Sequence, residues 1–273
     1  MQNFSASPRE MLASFWRNKA LIRNLVHREV VGRYKGSMLG IFWSLATPVF
    51  MLVVYTFVFS VVFKARWGSS GSDSKSEFAL VLFAGLLVFN LFAECINRAP
   101  GQILANVNYV KKVVFPLEIL PWVTLGSALF HFAVSFAVWL VAYLLLVGVP
   151  HWTVLLSPFI IAPFGLFLMG LSWALASLGV YLRDVGQIMG LLVQSLMFMT
   201  PIFYPASALP ERFRYVMYLN PLTPPIEMMR DVMVWGTLPS PKLWLLGAAV
   251  SLASAVLGFA WFQKARKGFA DVL

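Results

Sequence analysis

The sequence holds a single cysteine, Cys95, among 273 residues, so no internal disulfide is available to staple the fold. Charge is scarce: 12% of the residues are Asp, Glu, Lys or Arg, about half the share of an ordinary soluble domain. His27, His131 and His151 lie far apart and Cys95 has no partner, so no metal-ligand spacing is present. No Gly-x-x-x-x-Gly-Lys-[Ser/Thr] phosphate loop occurs, which excludes ATP binding by that device. No serine sits in a Gly-x-Ser-x-Gly context. No Asp-x-Asp is present, and Glu94 and Glu118 lie at the ends of separate apolar blocks, which disfavours a membrane enzyme acting on a lipid-linked sugar. Charged strings and carbonyl-rich filter sequences are also missing from the apolar blocks, which disfavours a proton relay or a passive channel.

What the chain does have is apolar length. Hydrophobic residues make up 60% of it and fall in blocks long enough to cross a bilayer. The pattern predicts an all-α polytopic membrane protein, one permease-like domain over residues 1–273 with six transmembrane helices. The predicted spans are Ser37–Phe63, Phe78–Cys95, Leu120–Val147, Thr153–Tyr181, Gly186–Tyr204 and Lys242–Phe262. Residues 1–36 precede the spans, 37–204 carry the first five, 205–241 lie between the fifth and sixth, and 242–273 hold the sixth with a tail. Residues 1–30 carry Arg9, Arg17, Lys19, Arg23 and Arg28 without an apolar core, which is not the form of a cleavable signal peptide. Ser7-Pro8-Arg9-Glu10 reads as a capping box opening an amphipathic helix, expected to lie in the membrane interface.

The net charge of +10 raises nucleic acid as a partner. Its placement favours anionic membrane lipid instead. With six spans, 14 of the 21 lysines and arginines fall on the side of the termini and 7 on the other, which makes both termini cytoplasmic. The charge step is sharpest at Arg33-Tyr34-Lys35-Gly36-Ser37-Met38-Leu39-Gly40-Ile41-Phe42-Trp43, where a basic segment tips into an almost uncharged run. His131 stands alone in the third span, where a neutral side chain bonded to a neighbouring helix is the favoured reading. Gly186-x-x-x-Gly190 and Gly247-x-x-x-Ser251 are candidate close helix crossings. Residues 201–241 hold eight of the sixteen prolines yet stay apolar, which fits two short re-entrant helices dipping into the outer leaflet.

Four motifs in order carry a family resemblance. They are Arg33-Tyr34-Lys35-x-Ser37-x-Leu39-Gly40-x-x-Trp43 before Pro48; Asn106 through Lys111-Lys112-x-x-Phe115-Pro116-Leu117-Glu118-x-x-Pro121; Arg183-Asp184 followed by Thr200-Pro201-Ile202-x-Tyr204-Pro205; and Asn220-Pro221 followed by Glu227 and Arg230. Across essentially the whole chain this resembles the membrane subunit of polysaccharide-exporting ABC transporters, the O-antigen, capsule and teichoic acid permeases, most of all the O-antigen branch. A small-molecule or drug exporter permease is the alternative within the class, and the four motifs speak against it.

The resemblance implies a homodimer in the cell inner membrane, working with two copies of a separate ATPase that carries the ATP and Mg; this chain binds no cofactor. It implies a polysaccharide on an undecaprenyl pyrophosphate carrier as substrate. Arg33, Lys35, Ser37, Leu39 and Gly40 are then expected at the cytoplasmic entrance, the two cations facing the pyrophosphate. Phe42, Trp43, Phe50, Tyr55, Phe89, Phe92, Phe198, Phe203 and Tyr204 are candidate sugar-stacking aromatics. Asn106, Lys111, Lys112, Arg183 and Asp184 are expected to couple to the ATPase. Pro201, Pro205, Asn220, Pro221, Glu227 and Arg230 belong to the expected outer gate.

Overall fold

A computed structural model describes residues 5–58, 75–111, 115–205, 210, 212, 217 and 219–273, and every regular element among them is helical. The end of the first predicted span, the loop after it up to residue 74, Lys112 and much of 206–218 lie outside the described residues. Five helices are long and apolar enough to cross a membrane: Gly40–Val58, Glu77–Arg98, Leu117–Leu146, Trp152–Tyr181 and Pro241–Val272. The chain is therefore built as a multi-pass membrane protein. The predicted fifth span appears as a shorter apolar helix, Val185–Met199, of 15 residues. At 1.5 Å per residue it reaches about 22 Å, short of a hydrocarbon core of about 30 Å.

The N-terminal segment forms α1 (Pro8–Arg17) and α2 (Lys19–Tyr34), parted at Asn18. The Glu10 backbone N–H donates to Ser7 Oγ at 3.2 Å, and Pro8 fills the first turn, where its missing N–H costs nothing. The interface expectation needs revision for α2. Ile22 and Leu25 pack on Ile119 and Val123 at the start of α6 (Leu120–Leu146). A Cβ on Gly126 would stand 2.6 Å from Val26 Cγ2, and Arg33 reaches His131. The contacts advance along both helices together, so α2 runs beside the first half of α6, and its apolar stripe is covered by this chain itself. Exposed apolar side chains suited to an interface remain on α1, at Leu12 and Trp16.

The centre of the bundle is α4 (Lys75–Arg98), nearly all of it buried. Around it stand α3 (Trp43–Tyr55), α6, α7 (Ser157–Tyr181), α8 (Val185–Met199) and the short α9 (Thr223–Arg230). Two indole N–H groups tie the layers: Trp139 donates to Leu80 O at 2.9 Å near one end, and Trp173 to Glu118 O at 2.9 Å near the other. The last long helix, α10 (Pro241–Ala265), lies on α7. Their crossing rests on Gly170 and Gly258, where an added Cβ would fall 2.2 Å from Ser254 O and 2.1 Å from Gly170 O. The glycines singled out in the sequence behave differently: a Cβ on Gly190 or Gly247 would meet nothing within 4 Å.

Both chain ends share one end of the bundle. Glu118 accepts from Ser14 Oγ of α1 at 3.0 Å and from Arg266 Nη1, just past α10, at 2.5 Å. Arg266 Nη2 also donates to Phe115 O at 2.9 Å. The terminal helix α11 (Phe269–Val272) sits there too, with Phe269 buried and its ring 6.0 Å from that of Tyr181.

Candidate functional site

The charge step of the sequence becomes a bent junction. Lys35 ends α2 in extended backbone, and Gly36 (φ 87°) and Gly40 (φ 50°) both adopt left-handed conformations that cost a side-chain-bearing residue. Ser37 Oγ donates to Tyr34 O at 3.0 Å, and a short 3-10 turn, Gly40–Phe42, leads into α3. Lys35, Ser37, Met38 and Leu39 are exposed along this loop.

Arg33 is not free beside them. Its Nη2 lies 3.0 Å from Glu94 Oε1, on the last turns of α4. Arg98, one turn further on, reaches Glu94 Oε1 at 3.3 Å and bonds Glu29 of α2. A carboxylate near a helix C-terminus faces the negative end of the dipole, so these cations are what make Glu94 tolerable there. His131 is not alone either: its Nδ1 is 3.0 Å from Glu94 Oε2, and its Nε2 is 3.2 Å from the Tyr34 hydroxyl. One nitrogen cannot both donate and accept. With Nδ1–H given to Glu94, Nε2 accepts from Tyr34, and both ring nitrogens are satisfied. The network thus joins α2, α4 and α6. His131 falls midway along Leu117–Leu146, about 21 Å from either end at 1.5 Å per residue. Ionisable groups within spans are costly and mark a working site; Glu94 lies one turn from the end of its span, and the group is paired yet still accessible, Arg33 keeping 43% of its side chain exposed.

Between α2, α3, α4 and α6 the network walls a cavity of about 340 Å³. Arg33, Tyr34, Glu94 and His131 form its charged side. Ser44, Thr47, Asn90 and Ser135 add neutral polar groups, with Trp43 and Phe132 beside them. A second cavity of about 450 Å³ lies on the other side of Arg98, lined by Arg28, Asn97, Gln102, Asn106 and Tyr109 among others.

The candidate aromatics do not form one surface within the chain. Phe42, Trp43 and Phe50 are exposed at and along α3, and Phe198 is exposed at the end of α8. Phe198 stacks on Phe203 at 5.7 Å, and Tyr204 donates to Phe198 O at 2.8 Å. Tyr55 is half-buried. Phe89 and Phe92 sit in the buried core, so in this chain they are packing residues rather than a face open to a passage.

The two segments expected to couple to an ATPase meet at the end shared by the chain termini. Pro100, opening the segment that holds Asn106 and α5 (Val107–Lys111), lies against Gly179, where a Cβ would be 2.0 Å from Pro100 O, and within 4.0 Å of a Cβ on Gly186. Arg183 and Asp184 are exposed in the turn between those glycines. Asn106 Nδ2 donates to Gln102 O at 2.9 Å.

At the opposite end Arg230 is fully buried. It donates to Pro201 O at 2.5 Å, Ile202 O at 2.8 Å and Val81 O at 3.2 Å, and pairs with Glu227 at 3.0 Å. Burial pushes its pKa down to about 10, with Glu227 opposing the fall, so it stays charged at neutral pH. Asn220 bridges Thr200 Oγ1 at 2.9 Å and caps Leu222 N–H at 3.0 Å, while Pro221 is exposed and Pro205 half-buried. Among the described residues no group of His, Cys, Asp and Glu has the arrangement to hold a metal.

The chain resembles known proteins over nearly its whole length. The chain is 27% identical over 254 residues to the O-antigen export system permease protein RfbA of Klebsiella pneumoniae, covering 91% of this chain and 93% of that protein. It is 27% identical over 263 residues to the RfbA permease of Myxococcus xanthus, covering 96% and 98%. To the polysialic acid transport protein KpsM of Escherichia coli it is 21% identical over 257 residues, covering 90% and 93%. The model of the family described as ABC-2 type transporter matches residues 20–234, from α2 to the end of the segment after α9. The chain belongs to the ABC-2 type transporter family.

Proposed function

We propose that this chain is the membrane subunit of an ATP-driven exporter that moves a polysaccharide on an undecaprenyl pyrophosphate carrier, an O-antigen, from cytoplasm to periplasm. The observation that carries the reading is the end-to-end likeness to permeases named for O-antigen export. The junction from Arg33 to Trp43 supports it: a cationic, glycine-bent mouth beside a polar cavity suits a lipid whose headgroup is a pyrophosphate. A capsule polysaccharide is the second reading, favoured by the weaker likeness to the polysialic acid transport protein.

In this reading two copies of the chain form the passage. α8, extended by Thr200–Pro205, serves as the fifth of six spans, and α9 with its flanking prolines forms the outer gate. Arg33 and Lys35 receive the pyrophosphate. Phe42, Trp43, Phe50 and Phe198, exposed on one chain, are available to line a surface between two. ATP and Mg belong to a separate ATPase, which seats on Asn106, α5, Lys112, Arg183 and Asp184. Both termini are cytoplasmic in the inner membrane, because that end carries 14 of the 21 lysines and arginines.

The test is complementation. Expressed with its ATPase in a strain whose own exporter is deleted, the chain should restore polysaccharide at the cell surface, and a Walker-A variant of the ATPase should abolish it. Polysaccharide that stays inside while a small-molecule substrate leaves would overturn the reading.

A further inference from the structure

We infer that the 340 Å³ cavity between α2, α3, α4 and α6 is a binding site for one sugar unit attached to a phosphate, so that the chain grips the linkage between glycan and carrier. The inference rests on the proposed function and adds to it a site and a ligand. Its first support is Asn90. From residue 78 to residue 92, α4 is buried at every position but this one, and the Asn90 amide has no hydrogen-bond partner among the described residues. That amide is exposed on the cavity wall and available to bond a ligand's hydroxyls.

The second support is the layering of polar groups. Asn90 stands one turn before Glu94 on α4, and Ser135 one turn after His131 on α6, so the two helices present a neutral polar layer directly beside the charged one. Thr47 faces the same space from α3. A phosphate needs the charged layer, where Arg33 remains partly exposed. A sugar ring needs what adjoins it: amide and hydroxyl groups for its own hydroxyls, and an aromatic face such as Trp43 for its C–H edge. The volume lies at the small end for ligand sites and holds a short unit, not a polymer.

The test uses the purified protein in lipid nanodiscs with three probes, glucose 1-phosphate, inorganic pyrophosphate and glucose. Wild type should bind glucose 1-phosphate more tightly than either fragment. Asn90→Leu and Ser135→Ala, each with an unchanged melting temperature, should weaken glucose 1-phosphate about fivefold, the worth of one hydrogen bond, and leave pyrophosphate unaffected. Thr47→Val on the third helix serves if either variant misfolds. Equal affinity for pyrophosphate and glucose 1-phosphate, or variants that bind as wild type, overturns the site. Complementation separates the two claims: export by wild type without sugar-phosphate binding sinks the site alone, and absence of export sinks the function on which it rests.

Discussion

The guanidinium of Arg230 occupies the space that a side chain would take at Gly85: a Cβ there would stand 2.7 Å from Arg230 Nη2. The absence of a side chain on the central helix thus lets a charged group cross to the backbone of Val81 and to the carbonyls that follow α8. Arg230→Met should strand those acceptors and the partner Glu227, at about 3 kcal/mol or more. Gly85→Ala should cost a comparable amount by displacing the same group. Thermal unfolding in detergent checks both, and a Gly85→Ala protein as stable as wild type would show that Arg230 has room to move.

The crossing of α7 and α10 makes a sharper prediction because it discriminates among glycines. Gly258→Leu should abolish the folded chain, since even a Cβ there would lie 2.1 Å from Gly170 O. Overpacking alone typically costs 1–3 kcal/mol where neighbours are side chains, and backbone cannot yield as they do. Gly190→Leu and Gly247→Leu should leave the isolated chain folded, because nothing lies within 4 Å of either. Size-exclusion profiles of the three variants decide it; equal profiles would mean the crossing is looser than its geometry.

Glu118 is the clasp between the two chain ends. Removing Arg266 leaves a carboxylate with 8% of its side chain exposed and, among the described residues, only Ser14 to bond it. Arg266→Met and Glu118→Gln should each be destabilising, and the double variant less so than their sum. A coupling of about 1–3 kcal/mol is expected in a double-mutant cycle. Strict additivity would mean that the pair contributes nothing to holding the terminal helices together.

The all-helical class was legible because bilayer thickness sets a length that composition reveals, and the junction at Arg33 because charge changes so abruptly there. Four features were not. A bond from His131 to a neighbouring helix was expected, but its partner was not: only the approach of α4 to α6 brings it to Glu94. The stripe on α2 is the same whether lipid or α6 covers it, so its place beside α6 is a tertiary fact. Small residues four apart occur at Gly186, Gly247 and Ser254 alike, and spacing cannot say which pair has a helix opposite. Phe89 and Phe92 likewise share their residue type with the exposed Phe50 and Phe198, and burial alone separates them.

The two cations at the junction should prove unequal. Lys35 is exposed and its side chain makes no bond among the described residues, so Lys35→Ala should leave stability unchanged and act only on substrate. Arg33 also holds Glu94, so Arg33→Ala should lower stability as well as export, and Arg33→Lys should not rescue the network, because an ammonium lacks the planar fork with which Arg33 meets Glu94. For the double alanine variant, about 1 kcal/mol per cation near a lipid headgroup predicts roughly thirtyfold weaker capture of the carrier lipid. Export should fall while the ATPase still co-purifies, since both residues lie away from the segments that hold Asn106 and Arg183. Surface polysaccharide at the wild-type level in the double variant would remove the pyrophosphate role from both residues and leave Arg33 as a strut between α2 and α4.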